Sequence, residues 1–259
     1  KIYYIHIDHK LRKHSSNEAR KLKYFMKKFD INCEILNWKK NKNVRGTQEN
    51  ARTARYNLLE NFCKRKKITS LFLAHHIDDL YENFFIRLIR GSGLRGLSSF
   101  GKLEDVNDNK IKILRPLITF EKKELLYISK MVFEFFIEDP SNKNFLFQRI
   151  RVRKFLNDLK KEGFDNKKLK LTINNLQSAD SSINFYVEKN ILENSKFIKS
   201  KNIYILNNFF FNQSEEVIFR SFSLILKRIS GKYYSPRGKS IMNLILKIKL
   251  GKIKKLTLG

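Results

Sequence analysis

Residues 71–83 read LFLAHHIDDLYEN, a short apolar run that passes directly into two histidines and a cluster of acids. The apolar part predicts a β-strand over 70–74, and the polar part predicts a helix that begins near Asp78. In open parallel sheets, ligands bind just beyond the carboxyl ends of the strands. This one stretch therefore predicts both an α/β fold and a binding site at the tip of a strand.

Short apolar runs alternate with longer amphipathic runs through the first half of the chain, which is the pattern of parallel βαβ units. Besides the strand at 70–74, strands are predicted at 2–7, 33–36 and 112–114. Helices are predicted at 16–29, 48–66, 78–90 and 121–133. The fold class that follows is α/β, with a doubly wound parallel sheet over residues 1–160.

Long amphipathic stretches dominate after this region, at 169–194 and 214–229, with one short strand predicted at 203–206. The three prolines of the chain all fall outside the predicted helices, as the missing amide proton of proline requires. We therefore expect a second, mainly helical domain over residues 161–259.

The 259 residues include 54 Lys and Arg against 25 Asp and Glu, a net charge of +29 that is spread along the whole chain. This charge predicts a polyanionic partner, which by charge alone is RNA, DNA or an anionic membrane. A lysine-rich proteome would raise the charge of any protein, so charge alone leaves open that no such partner exists. No apolar run is long enough to span a bilayer and no signal peptide is recognisable, so we expect a cytoplasmic protein with no membrane partner.

Asp79 and Glu82 are three residues apart, so on a helix their carboxylates would lie side by side on one face. Such a pair would bind an ammonium group or a hydrated magnesium ion. The alternative is that Asp78 caps the helix and the other acids only complement its dipole. We assign Asp78 to the cap and interpret Asp79 and Glu82 as functional. His75 is placed to touch a ligand, whereas His76 would pack.

Asp8 and His9 follow the first predicted strand, which places polar groups at a second strand tip. An isolated Asp-His pair at such a position is more typical of a turn, but the shared placement favours a site. On the helix at 48–66, Arg52 and Arg55 are three apart and could clamp a phosphate. Exposed arginines in so basic a chain also need no ligand.

Arginines recur at alternate positions in QRIRVRK, at Arg149, Arg151 and Arg153. We interpret this cluster as a phosphate contact, with a solvated face as the alternative. Glycines in RGSGLRGL at 90–97 would permit close approach of a phosphate or a nucleic-acid strand, and EDPSN at 138–142 predicts a proline turn.

Seven segments occur together in the order and spacing of one family: IHIDHKLR, NARTARY, LAHHIDDLYEN, RLIRGSGLRGL, RPL, EDPSN and RIRVR. In these segments the chain resembles the tRNA(Ile)-lysidine synthetases, which belong to the PP-loop ATP pyrophosphatase superfamily. The resemblance covers most of residues 1–156, and HHxDDxxE with the following RGSGxxGL is its most specific part. It is weaker after residue 160, although YYSPRGKS and the closing TLG look like that family's tRNA-binding region.

The resemblance implies a carbon–nitrogen ligase. ATP would adenylate the C2 oxygen of cytidine 34 in an isoleucine tRNA with a CAU anticodon, and lysine would then displace AMP to give lysidine. ATP is thus the expected cosubstrate, together with Mg²⁺, and the expected partners are that tRNA and free lysine.

The resemblance also implies a role for each candidate residue. Asp79 and Glu82 would hold the lysine ammonium and, with Arg55, would be the catalytic residues. The ATP-binding residues would be His75, Arg52, Arg55, Asp8 and His9. The tRNA-binding residues would be Arg149, Arg151 and Arg153.

The chain departs from the family's pattern at Leu80 and Asn83, where the family usually has Gln and Thr. The SGGxDS loop that cradles pyrophosphate is not among these residues, so the sequence looks clipped before the strand at 2–7 and again inside a C-terminal motif. We therefore expect tRNA binding with poor adenylation or none. Two alternatives stay open, namely a noncatalytic RNA-binding remnant and a sulfur-inserting PP-loop tRNA modifier. The second usually needs paired cysteines, whereas Cys33 and Cys63 form no CxxC pair and are expected to be buried.

Overall fold

The computed structural model describes residues 1–12, 14–39, 48–99, 104–106, 111–138, 140, 144–231 and 236–251, with the backbone alone at 48, 49 and 104–106. EDPSN, YYSPRGKS and TLG lie wholly or partly outside the described residues. The chain forms two compact units, residues 1–86 with 101–158 and residues 87–100 with 159–259. The first unit is α/β and the second is mainly helical, which confirms the predicted fold class. The second unit also includes residues 87–100 from the middle of the chain.

The strands of the first unit are β1 (Tyr4–Asp8), β2 (Cys33–Asn37), β3 (Ser70–Phe72), β4 (Glu104–Val106) and β5 (Ile111–Leu114). β1 and β2 pair in parallel, and their register places Tyr4 opposite Cys33 and Asp8 opposite Asn37. β5 pairs in parallel with β3 and antiparallel with β4. In the described part of this unit the strands form two sheets, ordered β1-β2 and β3-β5-β4. All four predicted strands are present, whereas the antiparallel β4 is an addition that the sequence pattern did not predict.

The helices up to residue 161 are α1 (Ser15–Lys27), α2 (Gln48–Lys66), α3 (Ile77–Ile89), α4 (Leu94–Ser98), α5 (Lys122–Met131) and α6 (Gln148–Lys161). The ends of α2 match the prediction, and those of α1, α3 and α5 differ from it by one or two residues. At α5 the difference has a clear cause, because Glu121 is the cap rather than the first helical residue. Its backbone N–H donates to Glu124 Oε2 at 2.6 Å, which is one half of a capping box.

The buried stripe of α2 determines where its arginines point. Ala51, Leu59 and Phe62 are buried on this stripe. Arg55 lies one turn after Ala51 and one turn before Leu59, so its side chain starts from the inward face, whereas Arg52 is exposed. The two arginines therefore do not share one exposed face, and Arg55 is the one that can serve an interior site.

The second unit contains α4, α7 (Asn166–Asn194), α8 (Glu215–Ser230), α9 (Gly238–Lys249) and an antiparallel hairpin of β6 (Ser195–Ile198) with β7 (Ile203–Leu206). Its apolar core joins α7, α8 and α9 and includes Phe210, Ile218 and Ile241, which are almost fully buried. α8 ends at Gly231, which has a left-handed φ of 61° and donates its N–H to Lys227 O at 3.1 Å. Within the described ranges, no helix has the length and apolarity required to cross a membrane.

Candidate functional site

The ends of three strands in the first unit carry the candidate residues. β1 ends at Asp8, just before His9, and β5 is followed at once by Arg115. β3 leads to His75, and because β3 and β5 are parallel, their carboxyl ends meet at one edge of the sheet. His75 and Arg115 are therefore neighbours, and Arg115 Nε donates to His75 Nδ1 at 3.3 Å.

His75 is neutral at physiological pH. Burial lowers its pKa most strongly, the positive charges of Arg115, Arg52 and Arg149 lower it further, and only Asp79 opposes them, so the pKa falls from 6.5 to about 4. Since Nδ1 accepts a hydrogen bond from Arg115, the ring proton belongs on Nε2. His75 thus offers a hydrogen-bond donor without adding a charge.

His9 and Arg55 form a second contact at the end of β1. Arg55 Nε donates to His9 Nε2 at 3.3 Å, and the His9 ring meets Trp38 edge to face with 6.2 Å between ring centroids. Burial, followed by the charge of Arg55, lowers the pKa of His9, so its imidazole is also neutral. Its Nδ1 is buried and has no hydrogen-bond partner among the described residues.

Arginine side chains are crowded around these two histidines. Burial lowers the pKa of Arg55, and the charges of Arg52 and Arg149 lower it further, so three guanidinium groups lie within electrostatic reach of one another. Arg115 is itself buried. Like charges held together in a partly dry site are unfavourable until an anion arrives, and a polyphosphate would relieve all of them at once.

The acids of α3 are held by hydrogen bonds that correct two of the sequence-based assignments. Asp79 Oδ2 accepts the backbone N–H of His76 at 3.1 Å, so Asp79 rather than Asp78 caps the start of α3. Asp78 Oδ2 accepts the backbone N–H of Lys122 at 2.8 Å, at the first turn of α5. The expectation that His76 only packs is also wrong, because its ring nitrogens lie 3.5 Å from Asp78 Oδ2 and 3.4 Å from Asp79 Oδ2. Interaction with the nearby Asp78 carboxylate, assisted by the charge of Asp79, raises the pKa of His76 although burial lowers it.

Glu82 is paired with an arginine from a distant part of the chain. Arg153 Nε donates to Glu82 Oε1, and Arg153 Nη2 donates to Oε2 at 3.3 Å. Burial disfavours the guanidinium charge, but the hydrogen bond and charge of Glu82 outweigh it and raise the pKa of Arg153. The charges of Asp78 and Asp79 also act on Arg153. The predicted acidic pair is therefore brought together with a third acid and a bidentate arginine.

Asp8 is buried, and its carboxylate accepts hydrogen bonds from residues nearby in the sequence. Its Oδ1 accepts the Lys10 N–H at 2.9 Å, and its Oδ2 accepts the Ser16 hydroxyl at 2.5 Å. Burial raises the pKa of Asp8, but these hydrogen bonds together outweigh burial and lower it. The carboxylate thus shapes the turn after β1, in which Lys10 has a left-handed φ of 50°.

The three arginines of α6 point in different directions because a helix separates alternate positions. Arg149 acts electrostatically on His75 and Arg55, whereas Arg153 binds Glu82. Arg151 lies on another side and donates from Nη1 to the backbone oxygens of Phe145 and Leu146 at 2.9 Å each. Residues at alternate positions share one face of a strand but not of a helix, so the three arginines do not form the single basic cluster that was predicted.

The sequence analysis also missed Arg115 as a site residue. The signal was present in RPL, which directly follows the strand at 112–114 and so lies at a strand tip. In the RGSGLRGL segment, by contrast, the glycines have local roles. Gly91 has a φ of 71°, and a Cβ on Gly96 would lie 2.8 Å from Ser92 Cβ. Among the described residues, no group of His, Cys, Asp and Glu side chains is arranged to hold a metal ion.

Comparison with known proteins gives a family match over the first part of the chain. A family model described as a PP-loop domain matches residues 1–160. The U34-tRNA thiolase NcsA from Methanococcus maripaludis, solved with its [4Fe-4S] cluster, matches with a TM-score of 0.56 over 67% of this chain and 60% of that one. At 16% identity this likeness bears on the fold alone.

Several curated relatives are named tRNA(Ile)-lysidine synthase. The protein of Wolbachia sp. subsp. Brugia malayi is 30% identical over 244 residues, and that of Orientia tsutsugamushi is 31% identical over 249 residues. Each alignment covers 93% of this chain but only 56% and 55% of the relative, so the chain spans about half the length of these relatives. The protein of Rickettsia conorii is 36% identical over 157 residues, which is 60% of this chain and 32% of that protein.

Proposed function

This chain belongs to the PP-loop domain family, and we propose that it ligates lysine to C2 of cytidine 34 in an isoleucine tRNA with a CAU anticodon. ATP is the cosubstrate, an adenylated tRNA is the intermediate, and the reaction takes place in the cytoplasm. The observation that carries the proposal is the meeting of cationic and acidic side chains at two adjacent histidines. Arg115 Nε donates to His75 Nδ1 at 3.3 Å, and Nε2 of His76 lies 3.4 Å from Asp79 Oδ2. A cationic cluster and an acidic cluster thus lie at one site, which suits a polyphosphate and an ammonium group.

The cationic side of the site binds ATP in this proposal. Arg55, Arg115 and Arg149 neutralise the charge that develops on the phosphoryl oxygens when pyrophosphate leaves, and Arg52 adds attraction from an exposed position. Burial strengthens the interactions of Arg55, Arg115 and Arg149 with the phosphates relative to the same interactions in water. His75 borders the nucleotide as a neutral donor.

The end of β1 completes the nucleotide site. His9 directly follows β1 and accepts a hydrogen bond from Arg55 Nε at 3.3 Å, so it positions that arginine for the nucleotide. Asp8 contributes by holding the turn in which His9 lies, since its oxygens are bound to Lys10 and Ser16.

The acidic side of the site binds the lysine ammonium. The two Asp79 contacts described above both involve Oδ2, so we assign Oδ1 to the ammonium. Glu82 accepts from Arg153, yet a carboxylate has about four lone-pair positions, so it can accept from the ammonium as well. Holding the amine beside the activated C2 converts a bimolecular attack into a local one.

For tRNA, Arg149 supplies a phosphate contact, and the net charge of +29 attracts the polyanion over a longer range. Mg²⁺ is expected with ATP from the resemblance, but the described carboxylates do not form a set that fits the ion. Among the described residues, no three His, Cys, Asp or Glu side chains are grouped so that they could hold it. No step of the proposal is therefore assigned to the metal.

The test is mass-spectrometric detection of lysidine in isoleucine tRNA incubated with this chain, ATP and lysine. Modification that requires both ATP and lysine supports the proposal even if it is slow. Matched reactions with ornithine in place of lysine, and with a tRNA that has another anticodon, control for specificity. Tight tRNA binding with no lysidine, both by residues 1–259 and by the same chain extended upstream by its native codons, would overturn the proposal in favour of the noncatalytic RNA-binding alternative.

The sulfur-inserting alternative finds little support in the thiols. Cys33 and Cys63 are both free and buried, and burial is the main cause that raises the pKa of each. A thiol with a raised pKa is a poor nucleophile and a poor cluster ligand. Incorporation of sulfur into tRNA by this chain would reverse that judgement.

A further inference from the structure

The turn before α6, the helix that carries Arg149 and Arg153, exposes two large apolar side chains. Phe145 is 58% exposed and Leu146 is 83% exposed. Asn144 builds the turn, because its Oδ1 accepts the Leu146 N–H at 3.0 Å and its backbone oxygen accepts the Phe147 N–H at 3.2 Å. The exposure of these side chains is therefore a property of an ordered turn.

Arg151 fixes this turn to the helix. Its Nη1 donates to the backbone oxygens of both Phe145 and Leu146 at 2.9 Å, from a residue that is itself exposed. An exposed guanidinium that binds two consecutive carbonyl groups sets the orientation of the turn. A lysine at this position would keep the charge, but it lacks the planar guanidinium group with which Arg151 binds both carbonyl groups.

Positive charge lies close to the Phe145 ring. Lys154 Nζ lies 5.8 Å from the ring centroid, and Arg151 lies one turn earlier on the same helix. That helix also carries Arg149, which acts on His75, and Arg153, which binds Glu82. An exposed aromatic ring flanked by cations is how proteins bind a base that has left its stack, with the cations on the neighbouring phosphates.

We propose that Phe145 is a stacking platform for an unpaired nucleobase of the RNA substrate, and that Arg151 is the positioning residue that holds this platform in place. The proposal rests on the proposed function, because it takes the RNA to be the molecule modified at the adjacent site. It adds a subsite for a base, which neither the cationic nor the acidic cluster provides.

The test uses an anticodon stem-loop RNA with a CAU loop and 2-aminopurine in place of one loop nucleotide, titrated with the full chain without ATP or lysine. Phe145→Leu should weaken binding roughly five- to tenfold and reduce the change in 2-aminopurine fluorescence. Phe145→Tyr should retain both, because it keeps an aromatic face. The matched control is Phe136→Leu, which alters another exposed phenylalanine with a lysine, Lys130, 5.6 Å from its ring centroid.

Salt dependence separates stacking from simple charge attraction. Phe145→Leu should shift the plot of log Kd against log salt without changing its slope, because no phosphate contact is lost. Parent-like affinity and fluorescence for Phe145→Leu, or a loss equal to that of Phe136→Leu, would overturn the platform.

Arg151→Lys tests the positioning role, because it keeps the positive charge and removes the planar guanidinium group. We expect a loss of affinity similar to that of Phe145→Leu, and no further loss when the two changes are combined. A parent-like Arg151→Lys variant, or additive losses in the double variant, would overturn the positioning role and leave Arg151 as an ordinary phosphate contact.

These binding measurements do not require catalysis, so they can fail independently of the proposed function. Lysidine formation with no effect of Phe145→Leu on RNA binding would refute the platform alone. If Phe145→Leu weakens RNA binding as expected but no lysidine forms, the ligase activity is refuted and Phe145 remains a base-binding site for RNA.

Discussion

Two arginine–carboxylate pairs, one in each unit, have similar chemistry and different surroundings. In the helical unit, Arg220 Nη1 donates to Asp180 Oδ1 at 2.6 Å, and the two side chains are only 3% and 6% exposed. In the α/β unit, the Glu82 side chain is 2% exposed but that of Arg153 is 29% exposed. The first pair is sealed on both sides and joins α7 to α8, whereas the second is sealed at Glu82 and partly accessible at Arg153, beside the acids of α3. Burial of both partners thus distinguishes a structural pair from one that is available to a ligand.

The largest effect should come from breaking the sealed pair. Asp180→Ala leaves Arg220 buried without its main partner, so we expect the free energy of unfolding to fall by about 3–5 kcal/mol in urea denaturation. The matched control is Glu216→Ala, which removes the exposed acid that binds Arg220 Nε at 2.6 Å and should cost about 0.5 kcal/mol. Equal losses from the two variants would mean that burial does not distinguish these contacts.

The open pair should instead affect substrate use. Asp79→Asn and Glu82→Gln each remove a charged acceptor, so we expect lysine use to weaken by about 1.5–3 kcal/mol and ATP binding to change less. The measurement is the dependence of lysidine formation on lysine and on ATP, each varied in turn. Glu216→Gln, which alters the exposed acid that binds Arg220 Nε in the helical unit, should leave both unchanged. Parent-like lysine dependence in Asp79→Asn and Glu82→Gln would remove these residues from the lysine site.

The open region should also be the one that responds to mild acid. The folded-state pKa of His75 is about 4, below the ordinary value of 6.5, so between these values the unfolded chain binds a proton that the folded chain does not. Stability should therefore fall by about 1–2 kcal/mol as pH drops through that window, since solvent screening reduces the full effect.

His76 works in the opposite direction, because its pKa is raised and its contribution is lost as pH rises above 6.5. Urea unfolding of the parent and of His75→Gln at a series of pH values measures the difference. A parent curve that coincides with the His75→Gln curve would contradict the assigned environment of His75.

The smallest effect should be that of a single phosphate contact on tRNA affinity. Arg149→Ala should reduce the slope of log Kd against log salt by about one unit. Arg20→Ala removes the same charge from α1, where the side chain binds Asn17, and should leave the slope unchanged. If Arg20→Ala reduced the slope as much as Arg149→Ala, the interface would be spread over the whole basic surface.

The sequence could predict the features that depend on neighbouring residues. The alternation of apolar runs predicted β1, β2, β3, β5 and β7 and helices α1, α2, α3, α5, α7 and α8, and strand tips identified His75, His9 and the acids of α3. It did not predict β4, β6, α4, α6 or α9. Long-range pairings could not be predicted, because Glu82 and Arg153 are 71 residues apart and His75 and Arg115 are 40 apart. Local spacing carries no information about contacts that form only when distant segments pack.

The hydrogen-bond partners of the α3 acids could likewise be predicted only in part from the sequence. Spacing correctly placed Asp78 and Asp79 in the first turn of a helix. Which of them caps α3 depended on α5, because the Lys122 N–H occupies Asp78 and leaves Asp79 to accept the His76 N–H. The partner of Asp78 thus lies in a helix more than forty residues away, where local spacing cannot predict it.

Burial of both native thiols makes the protein a ready background for site-specific labelling. Cys33 and Cys63 are the only cysteines, they are shielded from solvent, and burial raises the pKa of each. A maleimide dye should therefore react far faster with an introduced surface thiol than with either of them, without any need to replace the native residues. A fluorophore attached through Leu146→Cys, on the exposed turn before α6, would report the arrival of RNA in real time.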